Sequence, residues 1–263
     1  MKGGALVPEE TPIFDDYVKM SVDAGVAPLE LRFVPIVSPE SGSPIAYRTQ
    51  TLIHSVILGE LPPEEYTYVS DKREVGTALL RHSLQHAVTA LDAFRKADRT
   101  VAFLTVRCPA ELVENTDLYG EISQVLQKNP SVDPQKLCLE FPASLMQQQT
   151  EKARTAVLDM KLLKIRTALT GCAAEEFPIA KLLTVSPDIV FLDPSATAYA
   201  GSRNKPQLLS ALVSLIQAMR IDAIAEGTQA QRKSMRGTDC IGFVHTDGES
   251  LSLEQALAQK EEP

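Results

Sequence analysis

Histidine side chains are the first groups in this sequence whose type and spacing could do chemistry. His82 and His86 stand four residues apart in the segment His-Ser-Leu-Gln-His. Two histidines at that spacing on one face of a helix can hold zinc. Ser83 occupies the position where a zinc metalloprotease needs a glutamate, so hydrolysis by that route is not predicted. The pair lies beside an apolar stripe, and the sequence favours two partly solvated helix residues over a metal site.

The four cysteines offer a second kind of chemistry. Cys108, Cys138, Cys172 and Cys240 are widely spaced and include no Cys-x-x-Cys pair, which predicts neither a zinc site nor a disulfide framework. Cys108 and Cys172 fall at the ends of predicted strands, where they are either reactive thiols or small buried apolar residues. No general base lies near them in the sequence, so the second interpretation is favoured.

The composition is typical of a folded globular protein. The chain has 263 residues, of which 44% are apolar and 23% charged, enough for one large domain or two small ones. Its 26 Lys and Arg residues against 34 Asp and Glu residues give a net charge of −8, so no general attraction to nucleic acid or to an anionic membrane is expected. The apolar runs are shorter than the roughly 20 residues of a spanning helix, and the first ten residues lack the apolar core of a signal peptide. We therefore expect a soluble cytoplasmic protein.

Short apolar or β-branched runs alternate with helical patterns from residue 31 onward. Eight strands are predicted, several of them apolar enough to be buried on both faces. They cover residues 31–38, 44–55, 100–108, 136–141, 164–170, 189–193, 222–226 and 240–245. Helices are predicted over residues 74–97, 143–163 and 206–220, with a last amphipathic helix over 251–260. Strands that alternate with helices over this length predict an α/β barrel.

The first two strands depart from a regular barrel. Only the turn-forming residues 39–43 separate them, which is too short for a parallel crossover helix. The pair is therefore predicted to be an antiparallel hairpin. Residues 1–30 are predicted to form an N-terminal extension with a short helix that begins near Thr11 and Pro12, and residues 31–263 to form the barrel domain.

The order of several short motifs on these strands resembles the EAL family, the bacterial phosphodiesterases that linearise cyclic di-GMP. Residues 33–37 are similar to that family's opening aromatic-Gln-Pro-Ile-Val strand, and residues 61–66 to its Pro-x-x-Phe turn. Residues 139–141, 188–193 and 225–227 are similar to its Leu-Glu-Ile, Asp-x-x-Lys-Ile-Asp and Ala-Glu-Gly segments. The resemblance spans residues 31–245 and implies a modified TIM-like (β/α)8 barrel with an antiparallel first strand pair.

The resemblance also implies where metal ligands would stand. Active members of the family hold two divalent cations with carboxylates and an asparagine, and a lysine assists. Glu140 and Glu226 stand at two of those places, either as vestigial ligands or, as we favour, as hydrogen-bonding groups at the barrel rim. Asp193, which precedes a proline, is predicted to be a turn residue. The other family positions are replaced, and they fall on Thr49, Val106 (within one residue), Thr170, Gly171, Phe191 and Ile241.

Too few carboxylates remain to form a site for two cations. Glu140 and Glu226 bring a charge of −2, or −3 with Asp193, against +4 from the metals. No metal, cofactor or catalytic residue is therefore predicted. Binding of cyclic di-GMP is doubtful, because a dianion would meet carboxylates without metal neutralisation. Arg48 and Arg107 offset part of that repulsion if their side chains face the mouth of the barrel. Side chains alternate along a strand, so of two neighbouring residues only one can face the mouth.

Functions of different classes stay open at this point. The first is a catalytically inactive EAL-like domain that acts as a regulatory or protein-interaction module in bacterial signalling. The resemblance implies an unidentified protein partner for such a module, and also homodimers. The alternative is a metal-independent receptor for cyclic di-GMP, against which the missing family arginine and lysine count. An active phosphodiesterase and an unrelated barrel enzyme are less favoured.

Overall fold

The computed structural model describes residues 29–55, 59–63, 66, 73–115, 117–173, 177–198 and 206–259. The predicted N-terminal extension, with its short helix near Thr11 and Pro12, lies outside these residues except for its last two positions, which belong to the first strand.

Nine β-strands form one sheet, eight of which close into a barrel. They are β1 (Leu29–Val37), β2 (Pro44–Ser55), β3 (Gly59–Leu61), β4 (Leu104–Arg107), β5 (Leu137–Pro142), β6 (Arg166–Cys172), β7 (Ile189–Leu192), β8 (Asp222–Gly227) and β9 (Gly242–His245). The spatial order is β1-β9-β8-β7-β6-β5-β4-β2-β3, and an additional β1–β2 pairing closes the ring. β3 extends the sheet beside β2 outside that ring.

Strand direction confirms the predicted barrel with its antiparallel first pair. β1 runs antiparallel to both β2 and β9. Every other pair around the ring, from β2 through β4 to β9, is parallel. The eight predicted strands are all present, with ends shifted by a few residues. β3 was not predicted, because three residues are too few to produce a periodic apolar pattern.

The helices pack around the outside of the ring. They are α1 (Arg73–Lys96), α2 (Ala110–Asn115), α3 (Leu118–Lys128), α4 (Ala143–Gln148), α5 (Thr150–Leu162), α6 (Lys181–Val185), α7 (Pro194–Ala198), α8 (Pro206–Ala218), α9 (Gln229–Arg232) and α10 (Leu253–Ala258). The helix predicted over residues 143–163 is two helices, because the backbone of Gln149 leaves the helical region at φ −139° and ψ 59°. In the described part of the chain, no helix combines the length and the apolar character needed to cross a membrane.

Alternate residues of the strands supply two apolar layers. The layer inside the ring includes Ile36, Ala46, Phe103, Cys138, Ala168, Phe191 and Ile224. The layer between the strands and the helices includes Phe33, Tyr47, Val106, Leu139, Leu169 and Val190. Because both faces of the strands are covered, their sequences are apolar almost throughout, and polar side chains are left to the strand ends.

Gly242 allows β9 to pass close to β1 inside the ring. A Cβ atom at this position would stand 2.6 Å from Cγ2 of Ile36, which is fully buried. We expect Gly242→Ala to lower the free energy of unfolding by about 1–3 kcal/mol through overpacking. Urea unfolding followed by circular dichroism measures the change, with the exposed Ser214→Ala as a control that should stay within about 0.5 kcal/mol of wild type. Equal urea midpoints for Gly242→Ala and Ser214→Ala would contradict the close approach of β9 to Ile36 of β1.

Candidate functional site

A cavity of about 320 Å³ opens at the carboxyl ends of the parallel strands. This is the end of an α/β barrel where loops and strand termini build ligand sites. Charged side chains from four strands border it: Arg48 from β2, Arg107 from β4, Glu140 from β5 and Glu226 from β8. Ser83 of α1 adds a hydroxyl at its edge. The strand order brings together residues that are far apart in the sequence.

Arg48 joins the two carboxylates at the centre of this cavity. Its Nε donates to Oε1 of Glu140 at 2.9 Å, and its Nη2 donates to Oε1 of Glu226 at 3.1 Å. The side chains of Arg48, Glu140 and Glu226 are only 16%, 6% and 14% exposed. One guanidinium therefore neutralises part of the charge of both carboxylates in a largely dry setting.

Phe191 supports the same guanidinium from inside the barrel. The ring is fully buried, and the central guanidinium carbon of Arg48 lies 4.2 Å from the ring centre. A cation over an aromatic face at this distance is attracted by the ring's quadrupole. Arg48 is thus held by two charged contacts and one aromatic contact.

The protonation of Arg48 is secure in this environment. Burial by itself lowers the pKa of the guanidinium, but the charges of Glu140 and Glu226 and their hydrogen bonds outweigh it, and the net shift is upward. The three groups together carry a charge of −1 rather than −2. The repulsion between a dianionic ligand and these two carboxylates is therefore weaker than the count of carboxylates in the sequence suggested.

Two of the replaced family positions, Thr49 and Val106, each lie next to an arginine that borders the cavity. Thr49 is buried and also borders the cavity, where its hydroxyl donates to the carbonyl of Thr105, whereas the adjacent Arg48 reaches the carboxylates. Val106 packs in the outer apolar layer, whereas the adjacent Arg107 is exposed and borders the cavity. This is the alternation expected along a strand, and it places arginines at the mouth in both cases.

The remaining predicted positions are spread over the barrel. Thr170 and Gly171 border the cavity. Asp193 also borders it, and its Oδ1 accepts hydrogen bonds from the backbone N–H and the hydroxyl of Ser195, as expected of a turn residue at a strand end. Ile241 precedes β9 at the opposite end of the barrel and packs against the inner apolar layer, so the structure does not bring it to the cavity.

The residues present do not fit a site for two divalent cations. The N–H groups of Arg48 already lie at hydrogen-bond distance from Glu140 and Glu226, so a positive charge stands between the oxygens that would face a metal. Within the ranges that the structure describes, no group of three or more His, Cys, Asp and Glu residues is placed to hold a metal ion. The centre of the cavity is therefore an internal ion-pair cluster.

The cysteines are not nucleophiles in this structure. All four are buried and free. Burial raises the pKa of the Cys108 and Cys172 thiols well above the ordinary value, and that of Cys240 to about 11. Thiolate, the reactive form, is therefore negligible at neutral pH. The structure supports the interpretation of Cys108 and Cys172 as small buried apolar residues.

The bridge made by Arg48 is the feature that sequence reasoning missed. The sequence identified Arg48 as a cation close to the mouth, but not that one guanidinium contacts both carboxylates. That contact depends on the closure of the ring, which sets the distances from β2 to β5 and from β2 to β8. Strand alternation, counted inward from the hairpin turn, was the available signal, since it puts Arg48 on the same face as the buried Ala46.

The ring with its antiparallel first pair and its polar mouth defines an EAL-type barrel. The sequence model of the EAL domain family matches residues 26–240, so the chain belongs to the EAL domain family. The resemblance stated from the motifs is thereby confirmed. No curated protein sequence matches the chain.

Solved structures of EAL proteins share the fold. The PaMucR phosphodiesterase in complex with c-di-GMP has a TM-score of 0.80 at 16% identity, covering 94% of this chain and 100% of that chain. The FimX EAL domain from Pseudomonas aeruginosa bound to c-di-GMP has a TM-score of 0.79 at 13% identity, covering 94% and 98%. The Xanthomonas citri FimX EAL domain in complex with c-di-GMP has a TM-score of 0.79 at 14% identity, covering 95% and 97%.

Proposed function

We propose that this chain is a catalytically inactive EAL domain that acts as a regulatory or protein-interaction module of bacterial signalling in the cytoplasm. The observation that carries the proposal is the guanidinium of Arg48 between Glu140 and Glu226. In this proposal the module needs no cofactor, and its partner is a protein that the site does not identify, or a second copy of the chain.

Phosphodiester hydrolysis needs a group that activates water, and in this proposal every base of the cluster is already engaged by Arg48. Arginine stays protonated in proteins and has no acceptor, so Arg48 can neither take a proton from water nor coordinate a metal. Glu140 and Glu226 are the bases at hand, and each already accepts a charged hydrogen bond from Arg48. For either to act as a general base, a buried ion pair would have to break first.

A metal-independent receptor for cyclic di-GMP is the second candidate. Arg107 favours it, because this exposed cation borders a cavity in a barrel whose solved relatives are described as bound to c-di-GMP. Arg48 counts against it, because its Nε–H and one Nη2–H are directed to carboxylates rather than to a phosphate. The interaction module is therefore the preferred function.

Calorimetry and product analysis test these alternatives. We expect no heat when cyclic di-GMP is titrated into the chain in EDTA or in Ca²⁺, and no linear product after incubation with Mg²⁺ or Mn²⁺. The PaMucR phosphodiesterase, as positive control, should bind cyclic di-GMP in Ca²⁺ and turn it over with Mg²⁺ or Mn²⁺. Saturable heat in EDTA would favour the receptor. Linear product that Glu140→Ala abolishes would overturn the proposal of an inactive domain.

Affinity capture tests whether the chain acts as a protein-interaction module. We expect affinity capture of the full chain at native expression to recover a specific protein. Capture of no specific partner, together with a monomeric mass in light scattering, would count against an interaction module.

A further inference from the structure

His82 and His86 form a pair on α1 that does not border the cavity and has no part in the proposed function. Their ring centres are 4.1 Å apart, with the planes inclined by 31°. His82 is half-buried and His86 is exposed. The entire chain contains only four histidines, of which the other two, His54 and His245, lie on β2 and β9.

One ring nitrogen of His82 lacks a partner. Its Nε2 is buried and has no hydrogen-bond partner. Native proteins leave few buried polar atoms unsatisfied, so this nitrogen points to a missing ligand. Imidazole nitrogens are the commonest side-chain ligands of metal ions.

His86 is the more accessible member of the pair. His86 is exposed, and exposed side chains change rotamer within nanoseconds, so its ring can turn to present a nitrogen beside Nε2 of His82.

We propose that His82 and His86 form a two-histidine site for a borderline transition-metal dication such as Zn²⁺, with water completing the coordination. Imidazole nitrogens are ligands that such ions accept readily, and the spacing on α1 places both on one helix face. In the part of the chain that the structure describes, no group of three or more possible ligands is assembled. The site is accordingly an open and exchangeable one.

Titration of the full chain with ZnCl₂ tests this site. The protein is prepared without a polyhistidine tag, and calorimetry is carried out near neutral pH in chelator-treated buffer. We expect one saturable site, weakened about tenfold or more in His86→Ala and in His82→Gln. His245→Ala is the matched control and should bind as wild type does.

Thermal unfolding gives a second readout of the same site. Zn²⁺ that binds only the folded chain should raise the unfolding temperature of wild type and of His245→Ala, and not that of His86→Ala. Because His86 is exposed, its replacement should leave the fold intact. Zn²⁺ affinity that is unchanged in His86→Ala would overturn the site, as would the absence of saturable binding in wild type. Loss of binding in His54→Ala, with binding retained in His86→Ala, would also overturn it, because His54 pairs with Glu30 and Glu60 and not with the two histidines of α1.

Discussion

Replacement of Arg48 by alanine is expected to lower the free energy of unfolding by about 3–5 kcal/mol. The variant would leave Glu140 and Glu226 facing each other across a cavity with no cation between them, and both side chains are largely buried. Loss of one partner of a buried ion pair costs far more than the pair contributes, because the remaining charge is uncompensated. Urea unfolding measures the effect. The chain has no tryptophan, so circular dichroism or tyrosine fluorescence is the signal.

An exposed arginine provides the matched control. Arg154 pairs with Glu151 on α5, and the two side chains are 51% and 78% exposed. Arg154→Ala should change the free energy of unfolding by less than about 1 kcal/mol. A loss in Arg48→Ala no larger than in Arg154→Ala would contradict the assignment of Arg48 as the internal counterion. Glu140→Gln and Glu226→Gln, added to Arg48→Met, should recover most of the stability, because no buried charge then remains.

A guanidinium shares one property with a bound metal ion and lacks another. It supplies positive charge to the two buried carboxylates, which would otherwise repel each other. It does not supply an open coordination position or an acidic bound water. In the proposed inactive domain, the contacts of Arg48 therefore hold Glu140 and Glu226 at the mouth of the barrel as ion-paired groups.

Local patterns were sufficient to predict most of the fold. The five-residue turn over 39–43 required an antiparallel hairpin, and the apolar runs located all eight strands of the ring. What could not be predicted depended on backbone detail or on closure of the ring. The apolar spacing continues across Gln149, so the break between α4 and α5 is not visible in the sequence. β3 is too short for a pattern.

The contacts within the site could not be predicted from the sequence, for a related reason. Alignment to family motifs locates a strand position to within about one residue, whereas a shift of one residue moves a side chain to the opposite face. Thr49 and Val106 were the aligned positions, and their neighbours Arg48 and Arg107 are the cations at the mouth. The contact between Arg48 and the ring of Phe191 depends on the barrel diameter, which no local pattern encodes.

Phe191→Ala is expected to lower the free energy of unfolding by about 3–5 kcal/mol, measured by urea unfolding as for Arg48. The fully buried ring fills the inner layer of the barrel, so its removal leaves a void that the closed ring of strands cannot easily collapse around. The same substitution also removes the aromatic face beneath the guanidinium of Arg48. Phe94→Ala provides the matched control, because Phe94 is equally buried but belongs to the outer layer, where it packs on Phe33 and Tyr47.

A double-mutant cycle separates the two effects of Phe191. Two alanine substitutions together could consume the whole stability of a domain, which is about 5–15 kcal/mol, so the cycle uses Phe191→Leu and Arg48→Lys. We expect these changes to be non-additive by about 0.5 kcal/mol or more, since lysine cannot reproduce the planar contact with the ring. The corresponding cycle of Phe94→Leu with Arg48→Lys should be additive within about 0.5 kcal/mol. Additivity in both cycles would mean that Phe191 only fills space. Coupling confined to Phe191 would show that the ring helps to hold the cation between Glu140 and Glu226.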